Sequence, residues 1–257
     1  MRPEPLQTLH YDLLPVEVYA SRADLGLAAA LDARELLNRA IAERGEANLI
    51  LATGNSQLDF LHSLRELDNI DWSRIDVLHL DEYVGLAPDH AASFPLMLRR
   101  NLIDAVRPRN FFAIPSQAAD VEAACRDYAA LLHEHPADVV ALGFGENGHI
   151  AFNDPPGVRF DDPRWVKVVE LAGASRQQQV GEGHFATLAD APTHAITLTI
   201  PALLAGKALL CIVPEARKAE AVRACLQDPV SEDMPGSVLR LTAHSRLYLE
   251  PDSAALL

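Results

Sequence analysis

The chain has 257 residues, 49% of them hydrophobic and 23% charged, enough for a large core and ordinary for a globular protein. Its formal net charge of −14 argues against nucleic acid or an anionic membrane as a partner, and no apolar run approaches the length of a bilayer span. An anionic ligand would have to be held by local groups against that field, and the chain has only three lysines, Lys167, Lys207 and Lys218.

Taken in chain order, the apolar pattern predicts a strand at Val16–Ala20 and a long Ala/Leu-rich helix over Asp24–Arg44. A strand at Asn48–Ala52 follows, then the turn Thr53-Gly54-Asn55-Ser56 and a helix through Leu67. Ile75–Leu80 reads as a strand ending in Asp81-Glu82, Ser93–Val106 as helix, Phe111–Ile114 as a short strand and Ala118–His133 as helix. Val139–Leu142 is a strand feeding a glycine-dense loop, Gly143 to Asp154. Beyond it come strands near Val166–Leu171 and Ala195–Ile200, with the polar run Ser175–Gly183 between them. Lys207–Val213 is a strand, Glu215–Leu226 a helix and Arg246–Leu249 a final strand. This alternation predicts an α/β fold, one domain over 1–257, with a mainly parallel open sheet covered by helices on both faces. Ligands of such sheets bind beyond the carboxyl ends of the strands. Three chemically rich loops fall there: Thr53–Ser56, Asp81–Gly85 and Gly143–Asp154.

The glycine loop is the most informative stretch. Glycines such as Gly145 and Gly148 let backbone approach a ligand closely, and His149 is the side chain best suited to proton transfer near neutral pH. Asp154, a few residues on, can orient that ring. Gly143-x-Gly145-x-x-Gly148 also matches a dinucleotide fingerprint, but Pro155-Pro156 stands where the required helix should be running. Asp81 and Glu82 end a hydrophobic strand, where paired carboxylates raise one another's proton affinity and suit a general base; a plain turn opening on Asp is the alternative. The Thr53–Ser56 turn between strand and helix reads equally as an anion site and as simple N-capping. Arg176 can capture phosphate from a mobile segment or lie on a solvated helix face. Lys218 sits near a helix start, where the dipole disfavours a cation unless an anion is close.

Together these segments carry a resemblance. Leu51-Ala-Thr-Gly-Asn-Ser56, Leu80-Asp-Glu-Tyr-Val-Gly-Leu86, the run Gly143-Phe-Gly-Glu-Asn-Gly-His-Ile-Ala-Phe-Asn-Asp-Pro155, Ser175-Arg176 and Arg217-Lys-Ala219 resemble, in order, the glucosamine-6-phosphate deaminase/6-phosphogluconolactonase family. The likeness extends from about Val16 to Leu249 and implies a Rossmann-like fold. Ile-Ala-Phe-Asn after His149 and Tyr-Val-Gly after the acidic pair are similar to the deaminase branch rather than the lactonases. That branch implies isomerisation of glucosamine 6-phosphate with loss of ammonia, giving fructose 6-phosphate without metal or organic cofactor. By position, Asp81 would move the C2 proton and His149 would assist ring opening, held by Asp154. Thr53, Gly54, Asn55, Ser56, Arg176 and Lys218 would grip the phosphate, with Glu82, Gly145 and Gly148 elsewhere in the pocket.

Two positions depart from the family pattern. Asn147 stands where deaminases usually have Asp, and Asp154 where they often have Glu. One charge near the imidazole is therefore missing, although Asn147 can still orient the ring. The tail Pro251–Leu257 has neither cation nor aromatic residue, so the second, allosteric phosphate site of some relatives is not expected. Lactone hydrolysis and non-catalytic sugar-phosphate sensing are the rival functions. Three scattered cysteines, Cys125, Cys211 and Cys225, and the absence of an apolar leader predict reduced thiols and a cytoplasmic protein. The expected partner is a small phosphosugar, with no nucleic acid or membrane, and the expected state is a monomer or small homo-oligomer.

Overall fold

Ala47-Asn-Leu-Ile-Leu51 and Val139-Val-Ala-Leu142 are buried along their whole length, as strands must be where helices cover both faces of a sheet. They lie side by side at its centre. The computed structural model describes all residues, Met1–Leu257. Its strands are β1 (Gln7–Tyr11), β2 (Leu14–Val18), β3 (Ala47–Leu51), β4 (Ile75–His79), β5 (Asp81–Tyr83), β6 (Asn110–Phe111), β7 (Val139–Leu142), β8 (Val166–Glu170), β9 (His194–Leu198), β10 (Leu209–Ile212) and β11 (Ser245–Leu249). Eight of them form one sheet in the order β1-β2-β11-β10-β7-β3-β4-β6, parallel except for the edge hairpin β1–β2.

The helices are α1 (Arg22–Arg44), α2 (Leu58–Glu66), α3 (Phe94–Leu98), α4 (Asp104–Val106), α5 (Val121–Glu134), α6 (Gly173–Gly181), α7 (Ile200–Leu204) and α8 (Ala219–Gln227). Alternation along the strands feeds two separate cores. Leu49, Leu51, Val139, Ala141 and Ile212 pack with Leu25 and Ala29 of α1 and Phe60 and Leu61 of α2. Ile50, Val140, Leu142 and Cys211 pack on the other face with Tyr128 of α5 and Val222 of α8. The chain runs outward from β3 to β4 and β6, then crosses back to β7 on the other side of β3. Loops leaving β3 and β7 therefore diverge, and such a switch point opens a crevice at the strand ends.

Several expectations are corrected. The strands near Val166–Leu171 and Ala195–Ile200 do not join the main sheet; with Asp81–Tyr83 they form a three-stranded antiparallel sheet, β5-β9-β8. Local apolar patterning marks a strand but does not name its pairing partner, which is decided at long range. The predicted helix over Ser93–Val106 is interrupted by a π-helical turn at Arg99–Ile103. Ser175–Gly183 largely belongs to α6, a helix with Ser175 and Gln179 buried, not a solvated face. The mostly exposed β1 and the 3-10 segment Pro235–Leu241 carry no strong apolar period and were not expected.

α1 begins at Ser21, whose side chain accepts from the Asp24 amide, and ends at Gly45 in the left-handed region. Gly26 within it lets α2 approach: a Cβ there would lie 2.7 Å from the Asp59 carbonyl carbon. In an open helix, Gly to Ala stabilises by about 1 kcal/mol. Here Gly26→Ala is expected to lower stability by about 1–3 kcal/mol, because the contact is with backbone that cannot turn aside. A urea midpoint at or above that of the parent protein would show that the two helices do not meet in this way.

Candidate active site

Four segments line one cleft: Ala52–Gly54, Ser56 and Gln57 after β3, Leu80 and Asp81 where β4 passes into β5, Gly143–Gly145, His149, Ala151 and Phe152 after β7, and Lys218 beyond β10. Residues Gln178, Gln179 and Glu182, on α6 and just past its end, line it as well.

One end is suited to an anion. Gly54 has φ +95°, a conformation that side chains rarely adopt, and it turns the chain from β3 into the 3-10 turn Asn55–Gln57. Thr53, Gly54 and Ser56 face the cleft, with free amides and hydroxyls ahead of a helical segment. The Gln57 amide pins this turn to β10, donating to the Ile212 carbonyl at 3.2 Å. Gly143 is needed beside it, since a Cβ there would lie 2.9 Å from the same carbonyl oxygen. Lys218 is 3% exposed. Burial brings its ammonium down to about 8, with Glu182 acting in the opposite direction.

Asp81 stands on β5, buried yet open to the cleft. Burial, and then repulsion from Glu82, push its proton affinity well above the ordinary carboxylate range, with no hydrogen bond to the carboxylate opposing them. Its backbone is held by His79, whose Nδ1 donates to the Asp81 carbonyl at 3.0 Å while Nε2 accepts from the Ile114 amide at 2.8 Å. Burial pushes His79 down to about 4, so the ring is neutral at pH 7 and these two bonds select its tautomer.

His149 lines the cleft from the glycine loop. Its Nδ1 lies 2.6 Å from Asn147 Oδ1 and 2.9 Å from Asp154 Oδ1, leaving Nε2 without a partner in the protein. Asn147 donates its amide to Asp154 at 3.0 Å, and the Ser175 hydroxyl donates to the same oxygen at 2.6 Å. Burial would raise the Asp154 carboxyl, but the bonds from His149, Asn147 and Ser175 outweigh it and hold it at about 2. The imidazole lies over Gly145, where a Cβ would come within 2.0 Å of Cε1.

Six expected site residues do not line the cleft: Asn147 and Asp154 reach it only through His149, and Glu82, Asn55, Gly148 and Arg176 are engaged elsewhere. Neighbours on a strand point to opposite faces, so with Asp81 turned inward Glu82 turns away. Its carboxylate accepts from Ser93 Oγ at 3.0 Å and the Phe94 amide at 3.1 Å, capping α3, and burial raises it to about 7. Asn55 contributes its carbonyl to Arg22 at 3.2 Å. Gly148, at φ +77°, accommodates Met234, whose sulfur would be 2.0 Å from a Cβ. Arg176 is one residue from Ser175 and so about 100° round the helix. It donates to the carbonyls of Leu188 at 2.5 Å and Ala191 at 2.9 Å, fastening a loop rather than meeting an anion in the cleft. Conversely, sequence reasoning missed Gln57, His79, Ser175, Gln178, Gln179 and Glu182 as contributors. Gln57 adjoins the anion turn and the last four fall in the polar run, but only their helical phase shows which of them face inward.

The profile described as "Glucosamine-6-phosphate isomerases/6-phosphogluconolactonase" matches residues 20–248. The chain belongs to this family. It is 35% identical to a glucosamine-6-phosphate deaminase of Exiguobacterium sibiricum over 87% of this chain and 86% of that protein. It is 34% identical to one of Bacillus cereus over 86% and 82%. A monomeric glucosamine-6-phosphate deaminase superposes with a TM-score of 0.86 at 30% identity, covering 94% of this chain and 99% of that one. A 6-phosphogluconolactonase of Shewanella baltica, at 20% identity, TM-score 0.73 and coverage of 91% and 96%, shares the fold. The family is one of enzymes, and no helix of this member is long and apolar enough to cross a membrane.

The unopposed burial of Asp81 has a measurable consequence. A carboxyl whose folded pKa is raised contributes full stability below its unfolded value and loses it as pH rises towards the folded value. Asp81→Asn is thus expected to raise the urea midpoint at pH 7, with the gain vanishing below pH about 4, where the unfolded carboxyl is also protonated. An unchanged midpoint at pH 7 would mean that Asp81 is not strained by burial.

Proposed function

We propose that this protein converts glucosamine 6-phosphate and water to fructose 6-phosphate and ammonia. The observation that carries the reading is a cleft joining a buried, hydrogen-bond-free carboxyl, an imidazole oriented through Nδ1, and an anion end with a buried lysine. Backing comes from deaminase relatives at 33–35% identity along most of the chain.

In this reading the turn Thr53–Ser56 and Lys218 hold the phosphate and fix the sugar's orientation. Nε2 of His149 takes the proton of the anomeric hydroxyl and returns it to the ring oxygen, opening the ring to the aldehyde. Asp154 and Asn147 keep Nδ1 protonated and the ring aligned for this shuttle. The Asp81 carboxylate removes the C2 proton, giving an enolamine, and delivers it to C1. The resulting C2 imine takes up water and releases ammonia, leaving the C2 ketone. A carboxylate with raised proton affinity is the stronger base for carbon, and burial in the cleft keeps water from competing for its proton.

The direct test offers glucosamine 6-phosphate and measures ammonia and fructose 6-phosphate together, with 6-phosphogluconolactone run in parallel. Equal yields of ammonia and ketose are expected. Fast lactone hydrolysis with an inert amino sugar would overturn the assignment in favour of a lactonase. Asp81→Asn is expected to lower kcat by about 10²–10⁴-fold, the usual contribution of a general base, while phosphosugar binding persists. Full turnover by that variant would remove Asp81 from the mechanism. Lys218→Ala should act mainly on KM, raising it about tenfold or more through loss of a charge-assisted contact; a KM equal to that of the parent would place the phosphate elsewhere.

A further inference from the structure

The cleft contains one carboxylate for which the proposed chemistry has no task. Glu182 caps the C-terminus of α6, its side chain is 5% exposed, and it lines the cleft together with Lys218. Its Oε1 lies 2.9 Å from the Arg217 guanidinium and accepts from Gln178 at 2.8 Å, while Oε2 lies 3.4 Å from His184 Nε2. Arg217 precedes Lys218 in the 3-10 turn Ala216–Lys218; it does not itself line the cleft, but its guanidinium meets the cleft-lining Glu182. Arg217 also pairs with Glu146 at 3.1 Å and Glu215 at 2.5 Å. Burial would raise the Glu182 carboxyl, but His184, Gln178, Arg217 and Lys218 outweigh it and hold it at about 2, fully ionised at neutral pH.

A buried carboxylate beside the cations that await a phosphate is unfavourable to an incoming dianion. It is favourable to the fold itself, because a buried lysine and a half-buried arginine need a counter-charge. Resting on the phosphosugar reading above, we propose that Glu182 is an internal counterion at the phosphate end of the cleft, displaced when the phosphoryl group binds, so that Arg217 joins Lys218 as a second cation on the phosphate. The guanidinium fork suits this exchange, since it matches carboxylate and phosphate oxygens alike. The displacement makes affinity depend on ligand charge: a dianionic phosphate outcompetes a single carboxylate, whereas a neutral or singly charged sugar derivative does not. It also frees the end of α6, the helix whose Ser175 holds Asp154. Filling of the phosphate end is thereby mechanically linked to the His149–Asp154 pair.

The test is titration calorimetry of the full chain with inorganic phosphate, comparing the parent with Glu182→Gln, Arg217→Ala and Arg217→Lys. Glu182→Gln is expected to bind phosphate about tenfold or more tightly through loss of a close like-charge repulsion, and to lower KM for the phosphosugar. Arg217→Ala should bind about tenfold or more weakly, with Arg217→Lys recovering part of the loss. Equal or weaker phosphate binding by Glu182→Gln would overturn the proposal and leave Glu182 as a support for α6. Should Glu182→Gln fail to fold, phosphate affinity of Arg217→Ala equal to the parent's would overturn it independently. A parent protein that binds neither inorganic phosphate nor glucosamine 6-phosphate would bring down the proposed function as well. Turnover of the amino sugar with no gain in Glu182→Gln would bring down this inference alone.

Discussion

The structure depends on one crossing of the chain. From β6, at one edge, it returns to β7 on the far side of β3, so that the connections after β3 and β7 leave in opposite directions. The gap between them is the cleft; β3, β4, β7 and β10 point their C-terminal ends towards it, and β5 enters it with its first residue, Asp81. Two independent cores hold the crossing in place, one on each face of the sheet. The loops can then carry polar groups that would be costly in a core. Gly54 and Gly143 sit at the two lips of the gap, one for its backbone angle and the other for lack of space.

Electrostatics divides the cleft into groups that favour folding and groups that oppose it. Asp154 is surrounded by donors and is more acidic than a free carboxyl, whereas Asp81 has burial and a negative neighbour with nothing to compensate them. The first arrangement stabilises a permanent charge, which suits an orienting group. The second leaves a carboxyl ready to take up a proton, and local instability of this kind is typical of functional sites. At the anion end the cleft-lining Glu182 pairs with Arg217 at 2.9 Å and stands in the same cleft as Lys218.

Asn147 illustrates how a departure from a family pattern can preserve geometry. Its carbonyl oxygen meets the imidazole at 2.6 Å and its amide meets Asp154 at 3.0 Å, so one neutral side chain binds both members of the pair. An aspartate there could accept from the ring but could not donate to Asp154 without a proton of its own. The one carboxylate that remains beside the ring is Asp154, 2.9 Å from its nitrogen.

The α/β class, the central strands and the three polar loops were legible in the residue order, because burial on both faces imposes continuous apolar runs and tight turns impose glycine. The same order placed Asp81, His149, Asp154, Asn147, Thr53 and Ser56 on loops, and Lys218 near a helix start, that the structure gathers into one neighbourhood. Which member of an adjacent pair faces the cleft was settled only by tertiary structure: Asp81 turns in and Glu82 caps α3, Ser175 meets Asp154 and Arg176 fastens the loop at Leu188–Ala191. Strand and helix periods show that two neighbours diverge, but their absolute phase depends on what lies across from them. The same holds for the antiparallel trio β5-β9-β8 and for His79, whose role exists only because residues 79, 81 and 114 are folded together. Local chemistry is written in consecutive residues, whereas orientation and partnership are properties of contacts between distant ones.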